Sequence, residues 1–212
     1  MLPPFRLEAM IEALLILGAY LIGSIPTGVI VGRMRGFDPR AVGSGNIGAT
    51  NVVRAGGASA AVLTLVGDAL KGAIPVLIAR AAGLPAAAIA WVGLAAFVGA
   101  ICSVFLGFRG GKGIAAGLGI WLAISPMVIV SALGAFIVVV AISRIVSLAS
   151  IGAAIVLPAA VAILGLPHHY LLLAILMTAL VLFRLRENIQ RLSRGEEPTF
   201  QLKRASPPSA AS

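Results

Sequence analysis

The strongest constraint on this chain comes from its long stretches without any charged side chain. They lie at 13–32, 55–67, 72–79, 81–108, 113–143 and 145–183. A helix needs roughly 20 apolar residues to cross a bilayer. With 11% charged and 60% hydrophobic residues, the chain fits neither a soluble globular surface nor a disordered polymer. We therefore predict an all-α integral membrane protein, because helices satisfy their own backbone groups in lipid.

Breaks inside the apolar stretches decide how many helices cross the membrane. The stretch 145–183 is interrupted at 165–169 and is long enough for two spans. The stretches 55–67 and 72–79 join into one span if Asp68 and Lys71 are tolerated inside it. The stretch 113–143 is ambiguous, because it is either one long span or two short spans separated at Ser125-Pro126.

The positions of the basic residues resolve that ambiguity. Lys and Arg mark the cytoplasmic side, and they cluster at 33–57, at 109–112 and from 184 onwards. An even number of crossings must then separate 109–112 from the tail, which requires two spans in 113–143. We predict seven transmembrane helices, with the N-terminus outside and the C-terminus cytoplasmic. The fourth, at about 113–124, is short, roughly 18 Å long, and either tilted or re-entrant.

The same reasoning gives the domain organisation and the partners expected from charge. Residues 1–200 should form a single domain, and 201–212 a disordered tail rich in Pro, Ser and Ala. The net charge of +9 does not require a nucleic acid, since basic residues can fix topology or bind anionic lipid or an anionic substrate. We expect membrane lipid and no nucleic acid as a partner.

The first polar segment, 43–57, combines glycines with hydrogen-bonding side chains. Glycine-rich turns before a helix expose backbone N–H groups that bind anions. The residues that we expect to contact such an anion are Gly43, Ser44, Gly45, Asn46, Gly48, Thr50, Asn51 and Arg54. A G-x-G-x-x-G pattern at 43–48 does not indicate a dinucleotide fold, because no strand precedes it and no βαβ unit surrounds it.

Two further polar segments carry cations. The second, 107–113, places two cations among glycines at the start of a helix, where the macrodipole also favours an anion. Its candidate residues are Arg109, Gly110, Gly111, Lys112 and Gly113. The third, 184–192, contains Arg186, and as a helix it has Arg184, Asn188 and Arg191 on one face. By itself this helix could simply contact anionic lipid. Together the three segments predict a cytoplasmic pocket for one or two phosphate-like groups.

Few residues suit metal or nucleophile chemistry. Cys102 is the single cysteine, and His168 and His169 are adjacent in a predicted external loop, so we expect neither a metal site nor a cofactor. Among the carboxylates, Glu187 is flanked by arginines and makes a poor general base. The intramembrane pair Asp68 and Lys71 is as readily structural as it is substrate-facing.

Several runs resemble a known family. They are Gly-Ser-Ile-Pro-Thr-Gly at 23–28, Gly-Ser-Gly-Asn-Ile-Gly-Ala-Thr-Asn-Val-Val-Arg at 43–54, Gly-Asp-Ala-Leu-Lys-Gly at 67–72, Phe-Leu-Gly-Phe-Arg-Gly-Gly-Lys-Gly at 105–113 and Arg-Glu-Asn-Ile-Gln-Arg-Leu at 186–192. In this order they resemble the bacterial membrane glycerol-3-phosphate acyltransferases that use acyl phosphate as donor. The resemblance extends from about residue 10 to residue 195.

The resemblance implies a monomeric, seven-helix enzyme of the bacterial inner membrane with a cytoplasmic site. Its reaction joins acyl phosphate and sn-glycerol 3-phosphate into 1-acyl-glycerol 3-phosphate (lysophosphatidate) and releases phosphate, the first acylation of phospholipid synthesis. Ser44, Arg54, Lys112 and Asn188 match the family's catalytic positions. Arg54 and Lys112 would hold phosphates, while Ser44 and Asn188 would orient the substrate. With no obvious base, we hypothesise that the donor's phosphate accepts the hydroxyl proton, since a phosphate second pKa lies near 6.

The chain departs from the family pattern at specific positions. Leu185 stands where the family usually has His, three residues before the Asn of the last run. Ala100 and Ser103 stand where the family commonly has His and Pro. These departures leave a second hypothesis open, which is a weakened or inactive paralogue, or a carrier of phosphate-bearing lipid precursors.

Overall fold

The computed structural model describes residues 4–199, with side chains from residue 9 onwards. Within this range it contains nine α-helices and no strand. The helices are α1 (Pro4–Gly23), α2 (Thr27–Met34), α3 (Ala49–Ala81), α4 (Ala86–Ile101), α5 (Ile114–Ile124), α6 (Pro126–Ser143), α7 (Val146–Ile163), α8 (His168–Arg184) and α9 (Arg186–Ser193). The predicted all-α class is confirmed, whereas the predicted tail at 201–212 lies outside the described residues.

The helices form a multi-pass membrane protein. Four segments are long and apolar enough to cross a bilayer alone, namely α3, α6, α7 and Ala86–Leu106, which is α4 together with the turn that follows it. The pairs α1–α2 and α8–α9 are bent by 41° and 59°, and counting each as one span gives up to six. The predicted break at Ser125-Pro126 is confirmed, since α5 ends at Ile124 and α6 begins at Pro126. The fourth predicted span is therefore a separate helix of only 11 residues.

The predicted first span, 13–32, is interrupted in the structure. Helix α1 ends at Gly23 and α2 begins at Thr27, because Pro26 supplies no N–H to continue the helix. The Asp68–Lys71 pair of α3 lies against this interruption. Lys71 Nζ is 2.7 Å from Asp68 Oδ1 and donates to Ile25 O at 3.0 Å, and the Thr27 hydroxyl donates to the Asp68 carboxylate. The buried charges are thus paired with each other and with the broken backbone, which favours the structural interpretation.

The short helix α5 is held by close packing on α3 and by a contact at its C-terminal end. Close packing on α3 depends on glycine, since a Cβ on Gly72 would lie 2.2 Å from Ala116 O and one on Gly119 1.9 Å from Ala69 O. The last carbonyls of a helix need partners, especially inside a membrane. The Arg80 guanidinium, at the end of α3, donates to Ala123 O and reaches Ile124 O at 3.5 Å. Arg80 lies outside the three clusters of basic residues that predict the cytoplasmic side, and this contact gives it a structural role.

Candidate active site

The first polar segment is organised by Asn51 in the first turn of α3. Its side chain is only 2% exposed. Asn51 Oδ1 accepts from the Ser44 backbone N–H at 3.0 Å, and Nδ2 donates to the carbonyls of Pro39, Val42 and Asn46 at 2.7–2.9 Å. Both polar atoms are used by the protein backbone. The substrate contact expected for Asn51 therefore becomes a positioning role, in which the buried amide shapes the loop around it.

This loop leaves other groups open to a ligand. Gly43 has φ +59°, and a Cβ there would lie 2.4 Å from Asn51 Oδ1, so only glycine fits. The Arg54 side chain passes beside Gly43, and the Arg54 and Ser44 side chains are exposed. Asn46 Oδ1 accepts from the Gly48 N–H at 2.9 Å, where α3 begins. The exposed groups therefore lie at the positive end of a helix dipole, a favourable place for an anion.

The kink in α3 separates this site region from the membrane-crossing part of the helix. Gly57 has φ +78° and ψ −178°, which interrupts the helical backbone inside α3. Next to it, a Cβ on Gly56 would lie 2.1 Å from the Phe37 ring, so the loop before the site packs directly on the helix backbone. The first turns of α3, which carry Thr50, Asn51 and Arg54, are therefore separated by this kink from the long apolar helix that follows.

The second polar segment is a tight loop between α4 and α5. The Gly111 N–H donates to Ala100 O at 3.0 Å, at the end of α4. Gly113, the residue before α5, has φ +78°, and a Cβ there would lie 2.6 Å from the Phe97 ring. The Arg184 guanidinium donates to Gly110 O at 2.7 Å and to Gly111 O at 3.1 Å. With these carbonyls bound by Arg184, the loop is fixed from both sides.

The third polar segment joins the other two through Asn188. Lys112 Nζ donates to Asn188 Oδ1 at 2.7 Å, and Asn188 is 5% exposed. The loops also meet, since a Cβ on Gly111 would lie 3.7 Å from Asn46 Oδ1. The three segments therefore meet, as predicted, and the residues at which they meet are Asn46, Gly111, Lys112 and Asn188. Arg109 is exposed on the same loop as Lys112.

Arg186 is the candidate that the geometry leaves outside this cluster. Its Nη1 donates to Phe183 O at 3.2 Å, and its guanidinium lies 4.7 Å from the centre of the Phe183 ring. The side chain is half exposed. A helix bend at Leu185 separates Arg186 from Arg184, so neighbouring arginines point to different surroundings. The substrate contact expected for Arg186 stays a prediction, and the contacts that the structure shows for its guanidinium are with Phe183.

Glu197 is a site residue that the sequence reasoning missed. Its carboxylate accepts from Asn188 Nδ2 at 2.5 Å, Arg191 Nε at 2.7 Å and Ser147 Oγ at 2.7 Å, and its side chain is 7% exposed. It lies beyond the third polar segment, in a tail that the sequence makes mostly basic. The only signal was an acidic pair, Glu196-Glu197, directly after the basic helix.

Electrostatics differ between the two ends of this hydrogen-bond chain. Burial lowers the pKa of Lys112 from 10.5, although the charge of Glu197 acts in the opposite direction. Burial acts to raise the pKa of Glu197, but hydrogen bonds from Ser147, Asn188 and Arg191 outweigh it and hold the pKa below 4.5. The carboxylate is therefore a weak proton acceptor at neutral pH, and its role is to orient Asn188 and balance the nearby cations.

An apolar cavity begins beside the lysine. It has a volume of about 90 Å³ and lies among α4, α5, α6, α7 and α8. Gly113, Ile114 and Val181 line it near the polar loop, while Trp121, Ile129 and Leu157 line it farther along. Because Gly113 follows Lys112 directly, the cationic site and the apolar cavity adjoin. Leu185 is 1% exposed and belongs to the packed core.

Fold and site together define a class, which is a multi-pass helical membrane protein with a cationic, glycine-rich site next to an apolar cavity. The family model described as glycerol-3-phosphate acyltransferase matches residues 13–195. The chain belongs to the glycerol-3-phosphate acyltransferase family.

Relatives and solved structures agree with this family. A glycerol-3-phosphate acyltransferase from Geotalea daltonii is 49% identical over 190 residues, covering 90% of this chain and 98% of the relative. One from Geobacter sulfurreducens is 46% identical over 190 residues, with the same coverage. The crystal structure of PlsY (YgiH), an integral membrane glycerol 3-phosphate acyltransferase, in its glycerol 3-phosphate form has TM-score 0.86 and 42% identity, covering 90% of this chain and 96% of that one. The lysophosphatidic acid form has TM-score 0.85 and 41% identity, with coverages of 90% and 95%.

Proposed function

We propose that this protein transfers an acyl group from acyl phosphate to sn-glycerol 3-phosphate, giving 1-acyl-glycerol 3-phosphate and phosphate. The observation that carries the proposal is the position of the Lys112–Asn188 pair, which links the polar segments at the entrance of an apolar cavity. A site of this kind suits a substrate with an anionic head and an apolar chain. Relatives named for acyl transfer to glycerol 3-phosphate support the same reaction.

Several groups of residues contribute to the binding of the two phosphates. Arg54 and Lys112 supply the cations, and the backbone N–H groups of Gly43, Gly110, Lys112 and Gly113 add donors. The N–H groups of Gly45, Gly48 and Gly111 already donate to Val42 O, Asn46 Oδ1 and Ala100 O. Ser44 and Asn188 orient the acceptor, with Thr50, Asn46 and Arg109 at the edge. Asn51, Arg184 and Glu197 act through the backbone loops and Asn188 that they hold. The acyl chain of the donor extends into the cavity.

The chemistry then requires positioning more than a protein nucleophile. The 1-hydroxyl oxygen of glycerol 3-phosphate forms a bond to the acyl carbon, and the bond from that carbon to the phosphate oxygen breaks. The electron pair leaves with the phosphate, whose charge Arg54 and Lys112 stabilise. The hydroxyl proton passes to an oxygen of the departing phosphate, which has a pKa near 6 and suits this role. Because the donor is a reactive anhydride, orientation and charge stabilisation suffice.

This route also accommodates the departure at Leu185. A buried, apolar side chain at this position can neither accept nor donate a proton. Asn188 instead takes its orientation from Lys112 on one side and Glu197 on the other. The proposed proton transfer to the donor phosphate does not require an imidazole, which favours an active enzyme over the alternative of an inactive paralogue or a carrier.

We place the reaction at the cytoplasmic face of a bacterial inner membrane. In this proposal the chain crosses the membrane seven times, counting α1–α2 and α8–α9 as single spans and including α5, with the N-terminus outside. All three polar segments carry Arg or Lys, which supports their cytoplasmic location. The functional unit is a monomer of one domain, residues 1–200, because each polar segment comes from the same chain.

Purified protein in lipid nanodiscs, supplied with palmitoyl phosphate and labelled glycerol 3-phosphate, tests the proposal. We expect lysophosphatidate and phosphate in equal amounts, and no product when palmitoyl-CoA replaces palmitoyl phosphate. The matched variant is Arg54→Met, which should lose at least about 100-fold in rate, while Arg33→Met, at an exposed position of α2, should not. Saturable binding of glycerol 3-phosphate without either product would instead support a carrier or an inactive paralogue. A large gain in rate on Leu185→His would show that this departure had cost activity.

A further inference from the structure

One face of α5 lines the apolar cavity from the polar loop to Trp121. The residues Gly113, Gly117 and Trp121 recur every four positions along α5 and line it together, so they follow one face of the helix. From Gly113 to Trp121 this face extends about 12 Å. Trp121 is fully buried, and it is the largest side chain in the wall of the cavity. Beyond it, α5 ends at Ile124 and the chain turns at Ser125 into α6.

The middle of the cavity is kept open by glycine. A Cβ on Gly117 would lie 3.2 Å from Met177 Cε and 3.6 Å from the Phe97 ring, and all three residues line the cavity. Any side chain at position 117 would therefore narrow the passage between Gly113 and Trp121. The methionine end is flexible and can yield, so a single methyl group would narrow the passage without disrupting α5.

We propose that Trp121 determines the acyl-chain length that this enzyme prefers, by closing the far end of the cavity that holds the donor's chain. This inference rests on the proposed function, since it takes the acyl chain to start near Lys112. A chain that reaches the indole ring is buried along the whole α5 face. A longer chain must bend aside, and a shorter one leaves apolar wall uncovered. An apolar pocket discriminates a single methylene by roughly tenfold or more, so one bulky residue suffices.

Two variants with opposite effects test the proposal by kinetics. Trp121→Leu opens the far end and should raise the ratio of kcat/KM for stearoyl phosphate to that for decanoyl phosphate by roughly tenfold. Gly117→Ala narrows the passage and should lower the same ratio. No described residue accepts a hydrogen bond from the Trp121 indole N–H, so its replacement breaks no such bond. The matched control is Trp91→Leu, because Trp91 is half exposed on α4 and outside this cavity, and its ratio should stay unchanged.

A fluorescence experiment tests the same point without turnover. The chain has two tryptophans, so Trp91→Phe leaves Trp121 as the only indole and Trp121→Phe leaves Trp91. Lysophosphatidate brominated near the end of its chain should quench Trp121 in a saturable way that unlabelled lysophosphatidate reverses. Bromine next to the carboxyl group should quench it less. Trp91 should show no saturable quenching by either compound.

The outcomes separate this inference from the proposed function. Saturable quenching of Trp121 without catalysis would contradict acyl transfer but keep the chain in the cavity. Catalysis with the same chain-length ratio in the wild type, Trp121→Leu and Gly117→Ala would overturn the role of Trp121. Stronger quenching by carboxyl-side bromine would overturn it as well, since the chain would then run in the opposite direction. If Trp121→Leu does not fold, the Trp91→Phe fluorescence and the Gly117→Ala kinetics decide the matter.

Discussion

At the scale of single residues, the polar side chains of the site separate into two groups. One group is committed to the protein, with Asn51 holding backbone carbonyls, Arg184 holding the glycine loop and Glu197 holding Asn188. The other group, including Ser44 and Arg54, is exposed. Lys112 falls between the two groups. Its Nζ already donates to Asn188 Oδ1, and its burial lowers its pKa by destabilising the charged form. Rate and stability should therefore respond differently to changes in the two groups.

Lys112 should determine the alkaline limit of activity. Burial lowers its pKa below 10.5, so the ammonium loses its proton at a lower pH than an ordinary lysine does. Activity should fall there, because the neutral amine no longer stabilises the departing phosphate. Lys112→Arg keeps the charge but changes the geometry, and we expect a loss of about 10- to 100-fold near neutral pH together with an alkaline limit that moves upward. The measurement is kcat against pH for both proteins. An unchanged alkaline limit in Lys112→Arg would assign that limit to another group.

Glu197 should contribute to stability in a pH-dependent way. Its pKa in the folded protein lies below 4.5, so its contribution is fully present above that value and disappears as the pH falls through the lowered pKa. Glu197→Gln should destabilise the fold by about 1–3 kcal/mol at neutral pH, since a buried charged acceptor of hydrogen bonds is lost. The difference from wild type should shrink below pH 4.5.

Thermal unfolding in detergent across this pH range measures the effect. The control is Glu196→Gln, because Glu196 is exposed and directly precedes Glu197. Equal destabilisation by both changes, or a Glu197→Gln effect that persists at acid pH, would contradict the assignment of this stability to the carboxylate.

At the scale of elements, the short helix α5 connects the site to the cavity. It begins after the glycine loop, carries Gly117 and Trp121, and ends where Arg80 of α3 binds its last carbonyls. Its position therefore depends on contacts at both ends. Local sequence predicted where it starts and stops, since glycines precede it and Ser125-Pro126 follows. Its support came from a residue more than 40 positions away, which no local pattern could indicate.

Arg80→Met should loosen α5 more than it changes the rest of the fold. Removing the guanidinium leaves the carbonyls of Ala123 and Ile124, the last of α5, without this donor. We expect a loss of about 1–3 kcal/mol in stability and a weaker discrimination between acyl-chain lengths. Thermal unfolding and the stearoyl-to-decanoyl ratio measure these effects. Arg33→Met, at an exposed position of α2, is the control, and an equal effect there would contradict the specific role of Arg80.

At the scale of the whole molecule, the proposed topology makes a prediction about the two sides of the membrane. The chain has one cysteine, Cys102, so a Cys102→Ser background allows single reporters. With seven crossings, His168→Cys should react with an impermeant maleimide in intact cells, whereas Ser193→Cys should react only after lysis. The positive-inside rule is the physical reason, because the basic segments near residue 193 remain in the cytoplasm. Reaction of both cysteines from the same side would contradict the odd number of crossings after α7.

The sequence by itself determined the class of protein and much of its helical order. Uncharged stretches longer than a bilayer require membrane-spanning helices, and Pro and Gly end them locally, which is why the breaks at 125–126 and 165–167 were predictable. Glycine and charge patterns also indicated the three polar segments. These properties are local, so they can be read along the chain.

Only the tertiary structure decided which polar groups bind other parts of the protein. The sequence predicted Asn51 and Arg186 as ligand contacts, and in the fold Asn51 donates to backbone carbonyls while Arg186 contacts Phe183. Arg184 and Glu197 belong to the site through hydrogen bonds to residues 50 to 74 positions away in sequence. No local pattern indicates contacts of this kind. A hydrogen bond depends on distance and direction in three dimensions, and the cavity lined by Trp121 depends on how five helices pack together. Residue types and their spacing in the sequence indicate which kind of site is chemically feasible, whereas packing determines which of those side chains stay accessible.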